Sequence, residues 1–313
     1  MRKNKNEVHI IGYVYQSDDK KGLRKNTVKN VASANYGKEF ISGEINVAVD
    51  EDGLNVIPVH FSYVTRDGNK KATFDVLEKI IEDKNLSWIV GGKDNAMKIN
   101  ISGNIGINDF MPQNSNEIVS TVRVEGGFAK EVQSLPENEK ERHKFKTDMV
   151  INKITHIEAD EEKKIDKDYV KVGGVIFNFK NEIIPVSYAI RDEKGMDYFE
   201  SLDISVSNPV YTQVWGKINC MTIKLEKVTD SAFGEPEVQV YENKSKEYLI
   251  TGCNIDPYDF GSEDVMTTEE LKAAAQAREV KLAEIKSDSS KRNHDKKESA
   301  STITPKNNDV FDF

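Results

Sequence analysis

Apolar and polar residues alternate with a period of two over much of this chain, and that pattern predicts strands rather than helices. In the first half it covers residues 8–15, 40–49, 55–65, 97–105 and 118–124. The segment 50–53 ends in Gly53 and reads as a hairpin turn. Between the third and fourth strands, Phe74, Leu77 and Ile80 form a helical stripe over 73–81, for which Thr73 is the expected N-cap.

The stretch 56–67 occurs a second time at 183–192, with an early proline and a terminal Arg-Asp in each copy. Three further features recur in the same order in both halves of the chain. They pair Gly43 with Gly173, Phe74 with Phe199, and Gly103 with Gly216. Ordered recurrence at nearly one offset predicts a duplicated domain.

The order in each copy is strand, loop, hairpin, helix, hairpin. That order fits the OB-fold, a five-stranded Greek-key barrel with a helix between its third and fourth strands. The predicted fold class is therefore all-β with minor α, as two tandem OB-fold barrels followed by a helix and a disordered tail. In the second copy, an insertion at 219–247 separates the last two strands.

The expected domains follow from these elements and from shifts in composition. Residues 1–132 form the first barrel, 133–144 a charged linker and 145–257 the second barrel. Residues 258–286 hold an acidic segment and a helix, whose start resembles a capping box of Thr267 or Thr268 with Glu270. Residues 287–313 form the tail, which is almost without apolar residues up to 308.

The formal net charge is −9, but the charge is unevenly distributed. Residues 1–30 contain eight Lys or Arg and three acids, whereas 256–271 contain six acids and no base. A basic N-terminal region leaves room for a nucleic-acid partner despite the acidic total. No apolar run reaches the roughly 18 residues of a membrane helix, and a cytoplasmic location is expected.

Enzyme motifs are absent from the sequence, which has no P-loop, no G-x-G-x-x-G after a strand and no H-E-x-x-H. Its five histidines and two cysteines match no metal-ligand spacing. We therefore expect no catalysis, no cofactor and no metal.

Binding is the better-supported class. The loop at 20–25 is rich in lysine, and in an OB-fold the loop after the first strand lies over the nucleic-acid groove, where cations neutralise phosphates. Aromatic residues in the strands provide stacking platforms for bases. The candidate nucleic-acid-binding residues are Tyr13, Tyr15, Lys20, Lys21, Arg24, Lys25, Lys29, Tyr36, Phe40, Phe61, Tyr63 and Trp88. The sequence leaves the alternatives open: a solvated loop, rings that serve only as core, and Trp88 as a plug of the barrel end.

The chain ends in Asp309, Val310, Phe311, Asp312 and Phe313. Aromatic rings beside carboxylates at the end of a polar tether are typical of a peptide that docks in a basic-rimmed apolar pocket of a partner. A frayed end without a role is the alternative.

The tandem barrel pattern, the lysine-rich loop, the glycines at 103 and 216 and the terminal peptide resemble the single-stranded DNA-binding proteins of bacteria and their phages. The resemblance implies protection of single-stranded DNA in replication, recombination and repair, with enzymes recruited through the C-terminal tip. It also suggests a phage or mobile-element origin and a bacterial host cytoplasm.

The chain departs from that family in two ways. Its tip lacks the usual run of aspartates and the Pro-Phe end, and it carries two barrels where the bacterial proteins have one and tetramerise. A second barrel reduces the need for further subunits, although oligomerisation stays open. The short acidic loop of the second copy puts DNA contact by that copy in doubt. The alternative function is an adaptor whose barrels bind protein, and a phage structural protein is a third.

Overall fold

A computed structural model describes residues 4–16, 22–112, 115, 117–160, 165–229, 233, 237–262 and 265–301, with only the backbone in 222–229, 237–244 and 289–301. The strands of the first half are β1 Asn6–Val14, β2 Arg24–Thr27, β3 Glu39–Ala48, β4 Val56–Thr65, β5 Lys98–Phe110 and β6 Val119–Glu131. Those of the second half are β7 His143–Ile157, β8 Tyr169–Phe177, β9 Ile183–Ile190, β10 Val210–Thr229 and β11 Glu237–Cys253. The helices are α1 Lys71–Glu82, α2 Trp88–Gly91, α3 Glu193–Ser201 and α4 Thr268–Ser301. The prediction of a mostly β protein with few helices is confirmed.

Five strands in each half close into a barrel. In the first, β1 pairs with β3, β3 with β4, β4 with β6, β6 with β5, and β5 with β1. In the second, β7, β8, β9, β11 and β10 pair in the same cyclic order. Only β4–β6 and β9–β11 are parallel among these pairs. The two halves therefore share one topology.

The repeated glycines mark equivalent irregularities in the two barrels. The register shifts between Ser102 and Gly103 in β5, and between Trp215 and Gly216 in β10. A Cβ at Gly103 or Gly216 would collide with a backbone carbonyl of the neighbouring strand. Only glycine permits this close approach, which explains why both copies carry it.

Helix α1 covers one side of the first barrel and buries Phe74, Leu77 and Ile80, as its stripe predicts. The expected N-cap is wrong, because the helix begins two residues earlier and its N-cap, Lys70, makes no side-chain cap bond. Thr73 is buried, and its hydroxyl oxygen accepts a hydrogen bond from the Ala129 amide at 3.1 Å. The hydroxyl thus ties the helix to β6.

The predicted linker is not a loose tether. Strand β1 pairs with β7 from Asn6–Thr147 to Ile10–His143, so that one sheet runs through both barrels. Arg142 is buried and donates hydrogen bonds to the Pro136 carbonyl and to Glu51. A charged segment with one proline gave no sign of this pairing, since edge-to-edge contact leaves no local periodicity.

The insertion at 219–247 extends β10 and β11 into one long hairpin. Near its base, the Cys220 amide donates to the Asn55 side chain at 2.8 Å, and Lys246 donates to the Val122 carbonyl at 3.2 Å. The hairpin therefore leans from the second barrel onto the first.

The capping box at the start of α4 is confirmed, because Thr267 and Glu270 exchange hydrogen bonds of 2.8 and 3.1 Å between side chain and backbone. The helix runs on to Ser301, so the expectation of disorder from residue 287 is wrong for 287–301. That segment contains neither Gly nor Pro, the two residues that most strongly disfavour a helix. The remainder of the predicted tail, 302–313, lies outside the described residues. No helix in the described part of the chain is long and apolar enough to cross a membrane.

Candidate nucleic-acid interface

An aromatic pair lies on the outer surface of the first barrel, where β3 begins and β4 ends. The rings of Phe40 and Tyr63 are nearly parallel, with centroids 4.7 Å apart and an interplanar angle of 28°. Tyr63 is 40% exposed. Two stacked rings at the surface offer a flat apolar face on which another planar group can stack.

The exposure of Tyr63 depends on an irregular backbone. Its φ is +55°, in the left-handed region that a bulky side chain rarely adopts. The β3–β4 register shifts at the same level, between Ile41 and Gly43. Strain of this kind persists only where surrounding structure holds it, and it clusters at binding sites.

Two cations at the same end of the first barrel share one carboxylate. Lys25 on β2 donates to Glu78 at 2.8 Å, and Arg66 places Nη2 2.8 and 2.7 Å from the two oxygens of the same carboxylate. The Lys25 hydrogen bond holds the pKa of Glu78 below its usual range, and Glu78 in turn raises the pKa of Lys25. Glu78 thus bridges Lys25 on β2 and Arg66, which follows β4.

The remaining predicted cations and Tyr36 lie nearby on exposed segments. Arg24 is on β2, Lys29 follows that strand, and Tyr36 sits in the turn before β3. All three side chains are exposed. Lys20 and Lys21 lie outside the described residues.

A second aromatic group gathers at the opposite end of β3. Trp88 at the start of α2 meets Tyr13 and Tyr15 edge-on, with centroid distances of 5.4 and 5.5 Å. Lys93 Nζ lies 4.9 Å from the Trp88 centroid and 5.5 Å from that of Tyr13. These rings are half-buried, so they pack on the barrel and keep part of their surface accessible to solvent.

Glu51 ties this group to the segment between the barrels. Lys93 and Arg142 approach its carboxylate to 2.8 and 2.6 Å, and their hydrogen bonds lower its pKa, that of Lys93 first. The Tyr13 hydroxyl lies 3.5 Å from the same carboxylate. Burial, followed by the charge of Glu51, raises the pKa of Tyr13, which therefore remains a neutral phenol.

Phe61 does not belong to the interface. It is 0% exposed, and its ring fills the space left by the missing side chain of Gly126. Phe61 alternates in step with Ile57 and Val59, which are also buried. The period of two places it in the core, and we correct its assignment as a stacking residue.

Two cations were missed by the sequence reasoning. Arg66 directly follows β4, and its guanidinium carbon is 4.8 Å from the Phe74 centroid. The sequence did contain a signal, since both copies of the repeated stretch end in Arg-Asp, with Arg66 in the first and Arg191 in the second. Lys93 lies in a polar segment without any pattern, and nothing in the sequence distinguishes it. No three His, Cys, Asp or Glu side chains within the described ranges gather as metal ligands.

The fold and this surface define a mostly β, two-barrel protein with exposed rings flanked by cations. Residues 5–288 match the YorF family, and the chain belongs to that family. No curated protein matches the chain.

Two solved structures of the single-stranded DNA binding protein from Thermus aquaticus are similar to this chain. The wild-type protein has 10% identity and a TM-score of 0.46, with 84% of this chain and 97% of that chain covered. A deletion mutant has 12% identity and a TM-score of 0.45, with 84% and 100% covered.

Proposed function

We propose that this protein binds single-stranded DNA with little sequence preference, on two tandem OB-folds of which the first carries the main surface. One observation carries the proposal: the stacked rings of Phe40 and Tyr63, of which Tyr63 is 40% exposed, lie on β3 and β4 at the end of the first barrel that also carries Lys25 and Arg66. In an OB-fold the second and third strands face the nucleic acid, and β3 and β4 hold those places in the pairing order.

The chemistry of this surface favours an unpaired strand over a duplex. A ring can stack on a base only if the base is free of its neighbours, whereas bases inside a duplex are already stacked. The cations contact phosphates, which position the strand without reading its sequence. Because neither stacking nor phosphate contacts depend on the base edges, we expect sequence tolerance.

The test is a titration of the full chain with labelled oligo-dT, oligo-rU and duplex DNA at two salt concentrations. We expect oligo-dT to bind more tightly than the duplex, with an affinity that falls steeply between roughly 50 and 200 mM salt. Equal affinity for the duplex, or no binding at low salt, would contradict the proposal. The oligo-rU arm measures preference between DNA and RNA.

Partner recruitment through Asp309–Phe313 forms a second part of the proposal and serves replication and recombination. These residues lie outside the described chain, and the support is their composition. Deleting 309–313 should abolish capture of a replication or recombination enzyme and leave oligo-dT affinity unchanged. If the variant without 309–313 still captures the enzyme, recruitment through the C-terminal tip is refuted.

An adaptor that binds protein through its barrels is the second candidate. It is favoured by Phe110 and Val119, which are exposed directly opposite each other at the end of the β5–β6 hairpin. An exposed apolar pair of this kind is a contact site for protein rather than for phosphate. Binding of a protein partner that survives loss of DNA binding, and fails when Phe110 is replaced by Ser, would support this function.

A further inference from the structure

A row of directly opposed residues crosses the sheet where the two barrels join. It runs over five strands, β10, β7, β1, β5 and β6, through Lys217, Lys144, His9, Ser102 and Phe128. Residues directly opposite each other in antiparallel strands point to the same face. The 3.3 Å contact between the Ser102 hydroxyl and His9 Nδ1 agrees with this. The row spans about 19 Å at the usual strand spacing.

A second row lies two residues further along on the same face. Trp215 stands opposite Lys146, and Lys146 stands opposite Glu7. Trp215 is 37% exposed, and Lys146 Nζ lies 5.7 Å from its ring centroid. Phe128, 56% exposed, lies at the other end of the first row. We call this surface the junction patch: Lys144, Lys146, Lys217, Trp215 and Phe128.

The junction patch places like charges together at a cost to the fold. Lys144 and Lys217 are directly opposed, an arrangement that destabilises an antiparallel pair. Burial, and then the charges of Lys140 and Lys144, lower the pKa of Lys217. Glu141 pairs with Lys144, whereas neither Lys146 nor Lys217 is paired with a carboxylate among the described side chains. An external anion would relieve this crowding.

We propose that the junction patch is a second binding surface for single-stranded nucleic acid, whose phosphates contact the three lysines and whose bases stack on Trp215 and Phe128. The surface lies away from the β3–β4 face and belongs to both barrels through the β1–β7 pairing. A single-stranded nucleic acid bound on the first barrel can therefore continue across the junction between the barrels. This inference rests on the proposed function, since it assigns a second contact to the same ligand.

Alternating lysines and exposed rings fit a single strand better than an acidic peptide. A peptide carboxylate would use the lysines and leave two large rings in water, while a nucleotide supplies both a phosphate and a planar base. The rings of Trp215 and Phe128 lie on the outermost of the five strands, too far apart to form one apolar pocket for a peptide.

The chain contains two tryptophans, Trp215 in the junction patch and Trp88 on the first barrel beside Tyr13 and Tyr15, so the patch and the first barrel each have their own fluorescent reporter. In Trp88→Phe, the fluorescence is that of Trp215 in the junction patch, and in Trp215→Phe it is that of Trp88 on the first barrel. We expect oligo-dT longer than one fold's site, roughly 16 nucleotides, to quench both variants. Quenching of Trp88 alone would overturn the inference and leave the proposed function intact. If no variant and no wild-type protein binds, the proposed function itself fails.

The matched charge test replaces Lys144, Lys146 and Lys217 together by Gln in the full chain. The loss of three phosphate contacts should make the log–log salt slope shallower by about 2 and weaken long oligo-dT roughly tenfold or more. The melting temperature should stay equal or rise, because a repulsive pair is removed. Unchanged affinity and slope would refute the inference, as would quenching of Trp215 by poly-glutamate but not by oligo-dT.

Discussion

The two barrels have one topology but place their aromatic rings differently. In the first, Tyr63 lies at the surface against Phe40. In the second, Tyr188 is 1% exposed and packs against Phe145 and Tyr248, with centroids 5.0 and 5.5 Å away. Both strands contribute to a core, but β4 also carries an exposed tyrosine whereas the tyrosine of β9 is buried, so topology alone does not assign a binding face.

The difference begins with two residues. Pro58 and Arg66 are separated by seven residues, whereas their counterparts Pro185 and Arg191 are separated by five. The β3–β4 hairpin accommodates its longer strand with a register shift and a left-handed residue at Tyr63, whereas β8 and β9 pair without a shift. The two additional residues of the first copy therefore accompany the irregularity that leaves the ring of Tyr63 exposed.

The loops after the first strand differ in the same direction. In the first barrel this connection carries the exposed cations of β2, while the second has an acidic loop that is tied to its own strand ends. His156 lies 2.6 Å from Glu200 and 3.6 Å from Asp168, and the hydrogen bond to Glu200 raises its pKa. Arg191, the counterpart of Arg66, pairs with Glu247 at 2.8 Å. Both barrels thus pair this arginine with a carboxylate, Glu78 in the first and Glu247 in the second, and the difference between them lies in the loop that follows the first strand.

The largest expected effect is on the free energy of unfolding, which should depend far more on Tyr188 than on Tyr63. Tyr188→Ala should lower the free energy of unfolding by about 3–5 kcal/mol, because it opens a cavity among packed rings. Tyr63→Ala should change it by less than about 1 kcal/mol, as expected for a surface site. Urea denaturation measures both. Tyr188→Phe, which removes only the hydroxyl 3.5 Å from Thr147, is the control, and equal losses at the two tyrosines would erase the contrast.

Affinity for oligo-dT should instead depend on the exposed rings of the first barrel. Replacing Phe40 and Tyr63 together by Ala should cost about 1–3 kcal/mol of oligo-dT affinity, the contribution of one stacked base, measured by fluorescence anisotropy. The matched control is Phe179→Ala, which removes a 79% exposed ring from the second barrel outside both proposed surfaces. A similar loss in the control would show that exposed rings contribute without regard to position.

Most of the fold could be predicted because its signals are local. The alternation of Ile57, Val59 and Phe61 predicts a strand with one buried face. The same alternation predicts the burial of Phe61, although its aromatic ring alone suggested a stacking role. The helical stripe of α1 and the capping box of α4 are equally local. Elements defined by short spacings are therefore readable from one sequence.

The rest depends on contacts between distant segments. Continued alternation would put Tyr63 inside with Phe61, and only the bulge opposite Gly43 turns it out. The pairing of β1 with β7, and with it the junction patch, joins residues more than a hundred positions apart. No periodicity records such contacts, which is why Lys144 and Trp215 had no place among the candidate residues.

The pH dependence of stability tests the junction against the first barrel's outer face. His143 is buried at the junction, 2.8 Å from the Ile218 carbonyl, and burial lowers its pKa. Its folded pKa lies below the unfolded value of 6.5, so its contribution is complete above that pH and is lost as the pH falls below it. The slope is at most about 1.4 kcal/mol per pH unit.

His143→Gln should flatten this slope in urea titrations between neutral and mildly acidic pH. His60 on β4 also has a pKa lowered by burial, then by Arg123, and His60→Gln serves as the comparison. We expect the larger flattening from His143, which is the more deeply buried of the two. An unchanged slope in His143→Gln would show that this residue does not titrate on unfolding.

The smallest effect tests the strained residue itself. At Tyr63, glycine should be about 1 kcal/mol more stable than valine, because a β-branched side chain is disfavoured at positive φ. At Thr65, two residues along and paired with Phe40, the order should reverse, since valine favours a regular strand. Both Tyr63 variants should lose the same oligo-dT affinity, because both lack the ring. If valine proves as stable as glycine at Tyr63, the two extra residues of β4 impose no left-handed turn, and the difference between the barrels needs another origin.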